Sequence, residues 1–225
     1  MTRTIEDFFF YLILFADFLF ICLYFFFFKY IRANKNLTII LLYCVVNIVV
    51  NSVLEFASFN NPLLLYSFFT LSEFFLFSTF IMMSIINTSM KRVIVVTQIL
   101  FSIFIIVYAT YAKPRSIDSI PVGIETILIL IFSFYYLYEQ MSKVENQFIY
   151  NKYQFWIITG MMIYLAGSFF IYIFANLVDR KTLHQFWFLT NVFYTLKNIL
   201  FAIGILIYVK QKKNPAPENL QPYLN

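Results

Sequence analysis

The chain has 225 residues, of which 62% are hydrophobic and only 12% are charged. Soluble globular domains carry about 25% charged residues, so this balance excludes an ordinary water-soluble protein. The formal net charge of +5 does not indicate nucleic-acid binding, because the basic residues flank apolar segments. No nucleic-acid partner is therefore expected.

Apolar segments long enough to cross a bilayer follow one another along the whole chain. They are predicted at 7–29, 37–59, 62–88, 91–112, 119–141, 153–177 and 184–209. The polar breaks between them are short, and short links join antiparallel neighbours. The sequence predicts an all-α, polytopic integral membrane protein, an up-and-down bundle of seven transmembrane helices over residues 1–209. Residues 210–225 are predicted to form a short, basic, proline-containing cytoplasmic tail that is disordered.

The lysines and arginines near the ends of the spans predict the orientation. Ten of them lie on the side of the loops 30–36 and 142–152 and of the tail, and five lie on the other side. This asymmetry predicts an external N-terminus and a cytoplasmic C-terminus, in a cell membrane and specifically the bacterial inner membrane. The lipid bilayer is the first expected partner.

Several charged side chains fall inside the predicted spans. Asp17 in the first span, Glu73 in the third and Lys197 in the seventh share a depth of about 14–17 Å below the outer boundary. Glu55 and Glu125 lie shallower, about 6–10 Å in. A charged amine in hydrocarbon costs about 2.5–3.5 kcal/mol on insertion scales, so Lys197 needs a partner, water or a covalent ligand. Glu73 is the expected partner, and Asp17 is the alternative.

Polar side chains also recur at helical spacing in these spans, so that they share faces. The residues assigned to an interior polar face, as a ligand site or a buried ion pair, are Asn47, Asn51, Glu55, Thr70, Glu73, Tyr164, Ser168, Tyr194 and Lys197. Together with Asp17 and Glu125 they predict an outer-facing polar cavity with acidic walls and a lysine at its floor. The alternative is that the uncharged members only make hydrogen bonds between helices, worth about 0.6 kcal/mol each on average.

The sequence carries no motif of a hydrolase, metalloenzyme or nucleotide-binding site. Its one histidine, His184, lies in a predicted outer loop, and a lysine beside the carboxylates competes with any metal. Neither an enzymatic activity nor a cofactor is therefore expected. Paired carboxylates inside the membrane leave an intramembrane hydrolase as an alternative.

The seven spans, the external N-terminus and Lys197 in the last span resemble the microbial rhodopsins. The resemblance implies a retinal Schiff base on Lys197 with Glu73 as its counter-ion. It covers the topology and these two residues. Two positions depart from the family. Four residues before the lysine, this chain has Phe193 where the microbial rhodopsins have Asp or Ser. Three residues before Glu73, it has Thr70 where they have Arg. The sixth span lacks the Trp-x-x-Tyr-Pro pattern of that family, since its Tyr164 is not followed by proline.

The length, the number of spans and the character of the third, fifth, sixth and seventh spans resemble small bacterial seven-helix proteins. Those proteins are themselves similar to the membrane part of seven-transmembrane sensor receptors. The resemblance implies a sensory or ligand-binding module that binds a small molecule or lipid and signals through a membrane or cytoplasmic partner. A retinal-binding photoreceptor, a small solute or proton transporter and an intramembrane enzyme are the alternatives.

Overall fold

The computed structural model describes residues 3–56, 63–111, 119–142, 148–174 and 180–214. In chain order these ranges contain α1 (Arg3–Phe26), α2 (Phe28–Ile31), α3 (Lys35–Phe56), α4 (Leu63–Ser84), α5 (Thr88–Tyr111), α6 (Ser119–Met141), a 3-10 turn (Ile149–Asn151), α7 (Tyr153–Phe174) and α8 (Arg180–Lys213). No strand occurs within these ranges. The prediction of an all-α chain is confirmed for them.

The helices α3 to α8 each contain a segment of 19 to 26 residues that is long and apolar enough to cross a bilayer. These six helices indicate a multi-pass membrane protein. The first predicted span, 7–29, corresponds to α1 and α2, and many side chains of α1 lie outside the described part of the chain. The seven-span topology is therefore a proposal, taken up below.

The link between α4 and α5 is held by a side chain from α6. The Glu139 carboxylate accepts the backbone N–H groups of Ile86 and Asn87, each at 2.8 Å. The Asn87 side chain in turn accepts the backbone N–H of Ser89 at 2.9 Å, and so satisfies an unpaired donor at the start of α5. Because of this cap, α5 begins earlier than the predicted start at residue 91.

The helices form a closed ring, because the first helix, α1, packs against both α3 and the last helix, α8. The same ring continues through the contacts α3–α4, α4–α6, α6–α7 and α7–α8. The helix α5 packs against α4. The helices α4 and α6 also contact each other directly, although they are not consecutive in the chain. The exposed apolar side chains of α5 include Val93, Val95, Val96, Ile99, Leu100, Ile103, Ile106 and Val107. Such a surface fits contact with lipid.

Small residues let α7 and α8 approach closely. A Cβ added at Gly160 would lie 3.1 Å from the carbonyl oxygen of Lys197, and one added at Gly167 would overlap the ring of Phe193. Glycine at these positions lets membrane helices pack backbone against backbone. The contact places Lys197 directly beside α7.

Candidate functional site

Lys197 lies on α8 and is fully buried, with 0% of its surface exposed. Its Nζ atom lies 3.7 Å from the ring centroid of Tyr194, 4.3 Å from that of Tyr164 and 4.5 Å from that of Tyr43. A desolvated cation over an aromatic face gains about 2 kcal/mol. The rings of Tyr43, Tyr164 and Tyr194, here called the tyrosine cage, therefore stabilise the ammonium from α3, α7 and α8.

The Tyr43 hydroxyl links the two buried charges. It accepts a hydrogen bond from Lys197 Nζ and donates one to Glu73 Oε1 at 2.9 Å. Glu73 is itself 4% exposed and interacts electrostatically with Lys197. The structure thus brings together the two residues that the sequence analysis paired, with a tyrosine between them.

Tyr43 is not among the residues that the sequence predicts for the site. A signal for it exists, because Tyr43 precedes Asn47 by four residues and so lies on the same side of α3. The predicted polar stripe extends from Asn47 towards the C-terminal end of the helix. The buried stripe instead runs in the opposite direction, towards Tyr43.

Three of the predicted uncharged residues lie around the cage. Asn47 is buried and donates from Nδ2 to the Tyr194 hydroxyl, which helps to orient that ring. The Ser168 hydroxyl donates to the carbonyl oxygen of Tyr164 at 2.6 Å, within α7. Thr70 is buried on α4, three residues before Glu73 and thus on the same side of the helix.

Glu125 lies on α6 with 1% of its surface exposed, and neither carboxyl oxygen has a hydrogen-bond partner among the described residues. It interacts electrostatically with Glu73 of α4 and with Tyr164 and Tyr172 of α7. The sequence predicts Glu125 at a shallower depth than Glu73, and the structure shows that the two carboxyl groups interact electrostatically. The site therefore contains two acids and one base among the described residues.

The structure corrects the placement of Asn51, which is exposed on α3 although Asn47 is buried. A step of four residues overshoots one helical turn by about 40°, so a stripe at this spacing drifts out of the interior. The side chains of Asp17 and Glu55 lie outside the described residues. Their predicted place in the site stays a prediction.

Side chains of the tyrosine cage fill the space around the Lys197 amine. The amine is hydrogen-bonded to Tyr43, and the cage rings lie within 4.5 Å of Nζ, where an attached polyene would have to begin. The ring of Phe201 lies 5.9 Å away. Among the described residues, no group of three or more His, Cys, Asp or Glu side chains is arranged to hold a metal ion.

Comparison of the chain with models of protein families, with curated proteins and with solved structures gave no match. The resemblances to microbial rhodopsins and to sensor receptors therefore stay predictions from the sequence.

Proposed function

We propose that the chain is a seven-helix membrane protein that acts as a non-enzymatic sensory or ligand-binding module. The first of the seven spans is α1, and its packing between α3 and α8 supports this topology. The excess of lysine and arginine on one side supports an external N-terminus and a cytoplasmic C-terminus, and we place the protein in a bacterial inner membrane.

One observation carries this proposal, the network that joins Lys197, Tyr43 and Glu73 and is enclosed by Tyr164. It connects α8, α3, α4 and α7 through buried polar groups. A ligand shifts a conformational equilibrium only if it binds one state better than the other. A ligand that takes the place of Glu73 or Lys197 in this network would do so, because it would release one helix from the others.

The ligand is proposed to be a small molecule or lipid that reaches the network from the outer side through a polar cavity. An anionic or hydrogen-bond-accepting group would compete with Glu73 for the buried amine, since a charge-assisted hydrogen bond is the strongest contact available there. Asp17 and Glu55 are the proposed polar groups along the entry path.

The signal is proposed to leave through α8, which carries Lys197 and ends at the cytoplasmic side. Near its end, Lys213 Nζ lies 5.2 Å from the ring centroid of Phe27 and 5.3 Å from that of Tyr30. A movement of α8 at the network would thus alter its contact with α2 and the surface offered to a membrane or cytoplasmic partner.

Recovery of the bound ligand tests the proposal. The protein would be purified in a mild detergent, and the small molecules that accompany it would be identified by mass spectrometry. We expect a compound that is recovered with wild type, is lost with Lys197→Met and is retained with the matched variant Lys213→Met. An identical set of compounds from all three proteins would contradict a ligand site at Lys197.

A small solute or proton transporter is the second candidate. The buried carboxyl group of Glu125, which accepts no hydrogen bond from any described residue, favours it. Buried acids inside membrane proteins often belong to ion or proton pathways. Liposomes that contain this protein alone separate the two functions. Solute or proton flux that disappears in Glu73→Gln would establish a transporter, whereas ligand binding without flux supports the sensor.

Labelling of intact cells tests the orientation. In a chain whose Cys22 and Cys44 have been replaced, a cysteine introduced at Ser116 should react with a membrane-impermeant reagent. One introduced at Asn36 should not. The reverse pattern would invert the topology and remove the outward-facing site.

A further inference from the structure

The buried charges of the described interior do not balance. Within the described part of the chain, this cluster contains two acids, Glu73 and Glu125, and one base, Lys197. With all three ionised, the cluster would carry one uncompensated negative charge. An isolated carboxylate in a medium of low dielectric constant is so costly that such a group becomes neutral instead.

The positive charge of Lys197 is linked by hydrogen bonds to one of the two acids, Glu73. Lys197 donates to the Tyr43 hydroxyl, and that hydroxyl donates to Glu73. A hydroxyl between two ionised groups strengthens both contacts, because each hydrogen bond is charge-assisted. Glu73 is therefore the acid that stays ionised opposite Lys197.

The described groups that face Glu125 supply no positive charge of their own. They are Glu73 from α4 and the hydroxyls of Tyr164 and Tyr172 from α7, the two helices that pack against α6. Neither oxygen of Glu125 accepts a hydrogen bond from them or from any other described group. Ionised Glu125 would be both desolvated and repelled by Glu73.

We propose that Glu125 is a proton-binding site, and that the resting bundle carries one exchangeable proton on its carboxyl group. The carboxylate takes the proton from water, and the neutral acid removes the excess negative charge from the interior. A ligand that brings a positive charge next to Glu125 would displace the proton. The inference holds for a sensor and for a transporter alike.

Infrared spectroscopy of the full chain in liposomes at neutral pH tests the proposal directly, since a protonated carboxyl group gives its own carbonyl band. We expect the band to disappear in Glu125→Gln, to shift in Glu125→Asp and to stay unchanged in Glu73→Asp. The matched control is Glu139→Gln, which removes a carboxylate that accepts two backbone N–H groups away from the cluster and should leave the band unchanged. The band of Glu125 should also move in heavy water.

Two results would overturn the proposal. An unchanged spectrum in Glu125→Gln would mean that Glu125 is ionised, and a band that shifts in Glu73→Asp but not in Glu125→Asp would place the proton on Glu73. If Glu125→Gln does not fold, the two aspartate variants decide the question alone, because both keep the acid and alter only its position.

Discussion

Removal of the hydroxyl that joins Lys197 to Glu73 gives the most direct measure of the network. Tyr43→Phe deletes one oxygen atom and keeps the ring. The ring of Tyr43 lies 4.6 Å from that of Phe77 and 4.5 Å from Lys197 Nζ, so aromatic packing and the cation–π contact survive. The variant therefore isolates the two hydrogen bonds of the hydroxyl.

The size of the effect follows from these two bonds. A hydrogen bond to a charged group contributes about 1.5–3 kcal/mol net, so two of them contribute about 3–6 kcal/mol. The electrostatic attraction between Glu73 and Lys197 remains in the buried interior and offsets part of this lost free energy. We expect Tyr43→Phe to lower the free energy of unfolding by about 3 kcal/mol.

A matched control exists on α6. Tyr136 is also buried, at 1% exposure, but its hydroxyl has no hydrogen-bond partner among the described residues. Tyr136→Phe should leave the stability unchanged or raise it, because it removes an unsatisfied polar group from the interior. Both variants would be unfolded in mixed micelles of a mild detergent and sodium dodecyl sulfate. A loss below about 0.5 kcal/mol for Tyr43→Phe, or an equal loss for both variants, would refute the reasoning.

Three further predictions concern the same interior. Glu73→Gln alone should cost about 3–5 kcal/mol because it strands the buried ammonium, and adding Lys197→Met should recover most of it. Additive losses in this double-mutant cycle would mean that the two residues do not interact. All-trans retinal added to wild type should give no visible absorbance band, and a band that vanishes in Lys197→Met would establish the photoreceptor. Gly167→Ala should cost about 1–3 kcal/mol through overlap with Phe193. Gly123→Ala, whose added Cβ would lie 3.4 Å from its nearest neighbour, should be neutral or stabilising in a thermal unfolding assay.

The helical class and the position of the helices in the chain follow from the sequence by itself. Continuous apolar segments of membrane-spanning length leave a helix as the structure that satisfies every backbone hydrogen bond internally. Each of the predicted spans from the second to the seventh accordingly overlaps one of the helices α3 to α8. The sequence by itself also identifies Lys197 as a residue that needs a partner, because a charged amine inside the membrane costs free energy.

The partners of that amine were decided by the tertiary structure. Helical spacing places a residue on a face but does not say how far a stripe extends or in which direction, so Asn51 was predicted inside while Tyr43 was missed. The direct contact of α4 with α6 brings Glu125 near Glu73, and no pattern within either segment encodes that contact. Contacts between helices depend on the shapes of all the side chains at each interface, and these are fixed only when the whole bundle packs.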